Sequence, residues 1–510
     1  METETVTMES YREVLAHGSR RYGTRVALRD ATSSYTYPEL EHAAEALARG
    51  LRGLGMAQGA RCAWLSPNTA KYLPTFFATA RAGLMISPLN FWLAESELRS
   101  QMETLAADCV LTTADRISSF EPTLDDLNVT HRIVLDSEEP IAEWVPWREL
   151  FSREGDLPDI DPDLPHEIIF TSGTTGQSKG VVHSQRQRVT ESKVVIDLIP
   201  HPEQAHVLRG SPQFHIGGII GPLQTLLQGG MTTIYKFNPR QHAEFVGGGV
   251  DYVSGVPAQY AIVAESGALD GVDVSHVKAC SVGGNGASVS SFQRILDQYP
   301  NAELVHFYGS TESGLVTAIH GDDFLAHLRS VGRVAPGVDL RIVGDDGREV
   351  SDGAVGEVVV RSPYVMREYF GRPELTAQAL DDDGYLRMGD LGRLEDGYLY
   401  IVGRKKDMII SGGENVYPKE VEDVIEGHPD MLEAAVIGVP DDVFEERAIA
   451  YVIADPRFND SHETREQLRG HVRSVLAGYK VPAEFRFVDD LPRNALGKVD
   501  KVALRREYQP

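Results

Sequence analysis

Between Thr171 and Gly180 the chain reads TSGTTGQSKG, with three glycines, five hydroxyl side chains and a single charge, Lys179. Glycines let successive backbone N–H groups converge on an oxyanion, hydroxyls add donors, and a lysine brings a compact positive charge to phosphate. The donors are spread over Thr171, Ser172, Gly173, Thr174, Thr175, Gly176 and Lys179. A strand-like HEIIF precedes the loop and an apolar GVVHS follows it, a setting that does not suit a flexible Ser/Gly linker. Gly180, not Ser or Thr, follows Lys179, so the spacing is not that of the P-loop NTPases. A second segment, HFYGSTESG (306–314), puts Tyr308, Thr311 and Glu312 within five positions. A tyrosine face suits a purine, and a lone carboxylate beside phosphate suits Mg²⁺, which takes few protein ligands.

Six further segments hold candidate residues that are ambiguous when read singly. His215 in SPQFHIGG has the look of a satisfied core histidine, Asp390 in YLRMGDLG of a β-turn residue, and Lys498 in LPRNALGKVDK of a solvated lysine. GRKKD (403–407) carries three consecutive basic residues, and SVGGNG (281–286) and SGGEN (411–415) are glycine-rich turns.

The elements that must position these residues alternate between helix and strand. Thr36 and Glu39 form a T-x-x-E capping box ahead of Leu40, Ala43, Ala44, Leu47 and Leu51 at helical spacing. Short apolar runs bounded by turn residues (CVLTT, RIVLD, MTTIY, DYVSGV, ACSVGG, LVHFYG) are often followed by helical stretches, the pattern of an α/β protein with largely parallel sheets. From about Val338 the strands DLRIVGDDG, GEVVVRS and GYLYIVG are joined by Gly/Asp turns and predict a small antiparallel β unit. Pro418 opens a helix with Val421, Val424 and Ile425 on one face, EAAVIGVP and AIAYVIA read as strands, and Leu468, Val472, Val475 and Leu476 mark a last helix. The expected layout is a large N-terminal α/β domain of several subdomains over 1–402, a hinge at 403–407, and a small, mobile α+β domain over 408–510.

Composition narrows the function classes. The 510 residues carry 49 basic and 75 acidic side chains, a net charge of −26. Such an excess repels phosphate backbones and anionic membranes over the whole surface, while leaving room for one local basic pocket. Nucleic acid is therefore not an expected partner. The three cysteines, Cys62, Cys109 and Cys280, lack CxxC spacing, so neither a disulfide frame nor a structural zinc is expected. No apolar run reaches bilayer length, and the acidic start METETVTMES has no targeting character, which together predict a cytoplasmic protein without a membrane span.

Taken in order, these segments resemble the signatures of the adenylate-forming enzymes, the superfamily of acyl-CoA synthetases, peptide-synthetase adenylation domains and luciferases. The resemblance covers nearly the whole chain and implies ATP, Mg²⁺ and CoA as cofactors and a small carboxylic acid as substrate. By resemblance, residues 171–179 are the phosphate loop, and His215 lies beside the acyl pocket and the reacting carboxylate. Gly284 and Asn285 run along adenine, Tyr308 stacks on it, Thr311 contacts phosphate, and Glu312 holds the metal. Asp390 takes the ribose hydroxyls, Arg404 ribose or phosphate, and Lys406 is the hinge. Ser411, Gly412 and Gly413 approach the thiol acceptor, and Lys498 is the catalytic lysine of the C-terminal signature, matched through Pro492, Arg493 and Gly497. The implied reaction is adenylation of the acid with release of pyrophosphate, then transfer to CoA with release of AMP by domain alternation.

Two departures bear on the substrates. The family often has Ala-Pro at Asn285-Gly286, which concerns the acyl pocket, and usually Gly at Glu445, which concerns the acceptor step. Alternative acceptors are a carrier-protein thiol or an amine, an alternative nucleophile is another oxyanion such as nitrite, and an alternative of another class is a non-catalytic nucleotide-binding relative. No basic anchor for the tail of a diacid is evident in the sequence, whereas Phe214, His215 and Tyr260 are candidate aromatic walls for the acyl group.

Overall fold

The computed structural model describes residues 8–171, 178–198, 203–283, 289–441, 443–455, 458, 460–493 and 498–508. Three sheets organise them. The largest has thirteen strands, and its centre is parallel: Val26–Arg29, Met231–Ile234, His206–Arg209, Tyr252–Gly255, Ala279–Val282 and Glu303–Ser310 lie side by side in that order. The antiparallel strands that follow (Gly314–His320, Gly332–Val334, Tyr398–Arg404, Leu386–Glu395, Gly356–Arg361 and Asp339–Val343) continue the same sheet. The β unit expected after Val338 is thus hydrogen-bonded into the large sheet through Gly332–Val334.

The second sheet has eight strands and runs Glu368–Tyr369, Lys179–Ser184, Pro165–Thr171, Met85–Pro88, Arg61–Leu65, Cys109–Thr112, His131–Val134 and Val145–Pro146. Cys62 and Cys109 are register partners on neighbouring strands, and all three cysteines are buried free thiols. The third, five-stranded sheet is built entirely from residues after 408.

Local signals explain the helix starts. Thr36 Oγ1 accepts the Glu39 N–H at 3.4 Å and the Glu39 carboxylate accepts the Thr36 N–H at 2.8 Å, so the capping box is closed. The apolar stripe of helix Tyr37–Gly53 is buried as its spacing requires. Pro418 begins helix Pro418–Glu426, with Val421, Val424 and Ile425 buried. Helix His462–Val475 buries Leu468 and Val472 but leaves Val475 exposed, because Leu476 turns extended and the stripe stops one turn early. No helix among the described residues is long and apolar enough to cross a membrane.

The two large sheets are tied together by buried charge. Helix Gln185–Leu198 lies between them, and its Arg188 is fully buried. Arg188 Nε donates to Glu167 Oε2 at 2.6 Å, on strand Pro165–Thr171, and Nη1 donates to Glu191 Oε2 at 3.0 Å. Glu191 Oε1 in turn accepts the backbone N–H of Leu315 at 3.0 Å, on strand Gly314–His320. Burial pushes both glutamates above the ordinary carboxylate range, and the arginine between them opposes that shift.

Two outcomes follow for stability. Arg188→Met leaves two buried carboxylates without a counter-ion and should destabilise the chain by about 3–5 kcal/mol, read as a lower urea midpoint; adding Glu167→Gln and Glu191→Gln should recover part of the loss. Burial also lowers three histidines outside the central cavity: His166 to about 3, and His242 and His306 to about 4. His242 is held between the hydroxyls of Tyr235 and Tyr299 at 2.8 and 2.6 Å. The unfolded chain binds protons at these sites below about pH 6.5 and the folded chain does not, so stability rises with pH across this window. The thermal midpoint should therefore fall progressively as pH drops from 6.5 to about 4.

Candidate active site

The parallel strands end on one side of the large sheet, and their carboxyl ends open into a cavity of about 1090 Å³. Arg209 and Gly210, Ser254 and Gly255, Ser281 and Gly283, and Tyr308 through Ser310 line it from four neighbouring strands. This is where open α/β sheets hold their ligands. The second sheet contributes Phe170, Thr171 and Lys179, and the antiparallel strands contribute Glu357, Asp390 and Arg404. Lys405, Lys406 and Lys498 complete the lining. Eight lysines and arginines face this space against four acidic residues, in a chain whose net charge is −26. The cavity is a local basic site in an acidic protein, as a polyanionic ligand requires.

Most of the described residues singled out in the sequence meet here. Tyr308 donates its hydroxyl to Asp390 Oδ2 at 2.6 Å, and Arg404 Nε lies 2.8 Å from Asp390 Oδ1. Asp390 is only 5 % exposed, so both oxygens are fixed by a phenol and a guanidinium. Burial and the adjacent carboxylate hold the Tyr308 hydroxyl protonated, well above its ordinary range. Strand register creates this knot, because Asp390 pairs with Arg404 across two antiparallel strands.

Glu312 follows the end of strand Glu303–Ser310, and its Oε1 accepts from Tyr369 at 3.1 Å and Thr171 at 3.4 Å. Lys179 stands 4.8 Å from the centre of the Tyr369 ring. Among the described residues no cluster of three or more His, Cys, Asp and Glu exists that could cage a metal. One carboxylate such as Glu312 fits Mg²⁺ whose other ligands are phosphate and water. His215 also faces the cavity, and burial, with the nearby Lys498 charge, lowers it to about 4. It is a neutral hydrogen-bonding ring at physiological pH.

Lys498 belongs to the small unit yet lines this cavity. Its surroundings lower its pKa, first by burial and then through Arg404, while Asp390 and Glu312 act in the opposite sense. The segment before it is pinned to the five-stranded sheet: Leu491 is buried there, Asp500 N donates to Pro492 O at 2.7 Å, and Arg493 meets Glu433 at 2.6 Å.

Other sequence expectations fall elsewhere. Ser172, Gly173, Thr174, Thr175, Gly176, Gly284 and Asn285 lie outside the described residues. Ser411, Gly412 and Gly413 form the turn of a hairpin that does not line the cavity. Phe214 and Tyr260 are not walls. Phe214 packs edge-on behind Phe91 and Trp92 at 5.5 and 5.3 Å, and the Tyr260 hydroxyl is spent on the carbonyls of Val253 and Ser281. Phe91, Trp92, Phe237 and Phe307 take that place. Glu445 has φ +65, a left-handed conformation that favours glycine, which is the residue the family usually carries there. Sequence reasoning missed Tyr369 and Arg209. Tyr369 sits on a two-residue strand that pairs with Lys179–Ser184, a contact that no local pattern announces.

Comparison with known proteins agrees with this geometry. The model of the AMP-binding enzyme family matches residues 15–370, and that of the AMP-binding enzyme C-terminal domain matches residues 420–498. The indoleacetate–CoA ligase of Aromatoleum aromaticum is 35 % identical over 506 residues, covering 94 % of this chain and 95 % of that protein. The o-succinylbenzoate CoA synthetase of Bacillus subtilis, solved with its acyl-adenylate intermediate, superposes with a TM-score of 0.82 at 25 % identity and 97 % coverage of both chains. The amide bond synthetase of Marinactinospora thermotolerans superposes with a TM-score of 0.87 at 27 % identity, covering 98 % of this chain and 100 % of that one.

Proposed function

The chain belongs to the AMP-binding enzyme family, whose CoA-ligase members form an acyl-adenylate and then a thioester, and we propose that it activates a small carboxylic acid in the cavity described above and passes it to CoA. The observation that carries this reading is the convergence of Lys498, Glu312 and the Tyr308–Asp390–Arg404 knot on one basic cavity. A carboxylate is a poor electrophile, and joining it to AMP supplies a leaving group. The obstacle is that two anions must be pressed together as the acid attacks the α-phosphate in line. Fixed donors at the point where charge grows lower that barrier, by about 3–4 kcal/mol for each donor of this kind.

Each residue then has a task. Asp390, already oriented by Tyr308 and Arg404, accepts from the ribose hydroxyls. Thr171 and Lys179 bind the phosphates, and Thr311 adds a donor. Glu312, aligned by Tyr369 and Thr171, would hold Mg²⁺, which when bound neutralises phosphate charge. Lys498 approaches the α-phosphate and the acid carboxylate. His215, neutral, orients the acid.

Transfer to a thiol needs a different face of the small unit. Lys498 and the Ser411–Gly413 turn belong to the same packed body, and only Lys498 lines the cavity. Lys406 stands between Lys405, which pairs with Glu357 at 3.2 Å, and Asp407, which accepts from Arg505 at 3.1 Å. One neighbour is thus anchored to the large body and the other to the small one, which suits rotation about Lys406. An amine acceptor is the second reading, favoured by the likeness to an amide bond synthetase. Comparing AMP release with CoA and with a panel of amines decides between them.

Lys498→Ala should reduce adenylate formation by at least about a hundredfold, measured as pyrophosphate release, and leave thioester formation from supplied acyl-adenylate intact. Equal loss of both half-reactions would overturn this division. Asp390→Ala should weaken Mg·ATP binding by about tenfold or more in calorimetry, and unchanged affinity would refute the ribose role.

A further inference from the structure

Arg209 ends strand His206–Arg209 and reaches the cavity, yet it is only 7 % exposed. Its Nη1 donates to Ser254 Oγ at 3.0 Å, and its Nε is buried without a hydrogen-bond partner among the described residues. No carboxylate among the described residues pairs with it. Arg188 sets the contrast: equally buried, it is flanked by two glutamates. Burial pulls Arg209 down to about 10, with only the distant phenols of Tyr252 and Tyr260 acting in the other direction. Burying a guanidinium with neither anion nor full hydrogen bonding is costly, so an empty seat of this kind requires an explanation.

The fold makes room for that charge. A Cβ on Gly221 would lie 2.0 Å from the guanidinium carbon, so the guanidinium occupies space that glycine leaves on helix Gly217–Leu227 and would have to move if a side chain stood there. Gln224 on the same helix and Gln259 on helix Pro257–Ser266 line the cavity beside Arg209, together with the apolar Ile220 and Ile262. Gln259 is itself turned to the Gly210 carbonyl at 3.0 Å. Arg209 is thus a buried cation on the cavity wall, with amide and aliphatic side chains among its neighbours on the lining.

We infer that Arg209 is the anchor for a second carboxylate, carried at the far end of the substrate's acyl part, so that the acid activated here is a dicarboxylate. The inference rests on the adenylation reading above and deepens it. A guanidinium presents a planar fork that pairs two-to-two with a carboxylate, and at a buried position such a pair selects strongly. A monocarboxylic acid would leave the cation unpaired and be rejected in proportion.

The test is pyrophosphate release with straight-chain dicarboxylates from succinate to sebacate and with benzene dicarboxylates, each beside its monocarboxylic counterpart. Wild type, Arg209→Met, Arg209→Lys and Gly221→Ala are compared, with Mg·ATP affinity and thermal midpoint as controls. At least one diacid should exceed its matched monoacid by about a hundredfold in kcat/KM. Arg209→Met should bring that ratio to about one with Mg·ATP affinity retained, and Arg209→Lys should keep part of it. Gly221→Ala, which leaves the charge in the chain but fills its seat, should lose the preference as well. A wild-type ratio near one that Arg209→Met does not change would overturn the anchor and leave adenylation standing. If no acid releases pyrophosphate although Mg·ATP binds, the adenylation reading fails, and calorimetry with the same diacids decides the anchor. Tighter binding by wild type than by Arg209→Met supports it, and equal binding sinks it.

Discussion

The site exists because a buried arginine holds two sheets at a fixed separation. Strand Pro165–Thr171 carries Glu167 and ends at Thr171, while strand Gly314–His320 begins two residues after Glu312. Arg188 and Glu191 span the gap between those strands from a single helix. An apolar cluster of equal volume would pack as well and bury no charge. It would not direct a carboxylate oxygen at the Leu315 N–H, and so would not set the depth at which Glu312 faces Thr171 and Lys179. The desolvation of three ions is the cost of a geometry in which Thr171 and Lys179 from one sheet and the Glu312 carboxylate from the other share one cavity.

The same physics, applied to a second buried arginine, gives the opposite result. Arg188 is satisfied by the protein and is structural. Arg209 is not satisfied by the described residues and opens onto a ligand cavity. Burial alone therefore does not distinguish architecture from recognition; the presence or absence of a counter-charge does. The rest of the lining shows the same contrast, since Arg404 is answered by Asp390 and Lys405 by Glu357, whereas the lining as a whole keeps an excess of positive charge.

What was legible in the sequence was local. The capping box at Thr36, the proline at 418 and the apolar runs bounded by turn residues each act within a few residues, and each appears where its spacing places it. Tyr308 and Glu312 were readable because an aromatic and a carboxylate on one strand end suit purine and Mg²⁺ on their own chemistry, whereas Asp390, Arg404 and Lys498 needed the family order. Long-range pairing was not legible. Nothing near Tyr369 signals that it will lie beside Val181, and nothing in HVLRG says that the arginine ending the strand will be sealed beneath a glycine of the following helix. Phe214 and Tyr260 were misplaced for the same reason: their residue types suit a wall, but the sheet puts them one layer behind it.

Glu445 shows how a departure from a family pattern acquires physical meaning. Its φ of +65 places a β-branch-free but full side chain in a conformation that glycine adopts at little cost. Ser411 is its register partner, so the strained residue supports the hairpin whose turn is Ser411–Gly413. A non-glycine residue holds this conformation only where the packing of its surroundings fixes it. Phe444 accounts for much of that packing, since its carbonyl accepts both the Gly412 and the Glu446 N–H, at 2.8 and 2.7 Å. The turn is therefore held in one shape on the small unit.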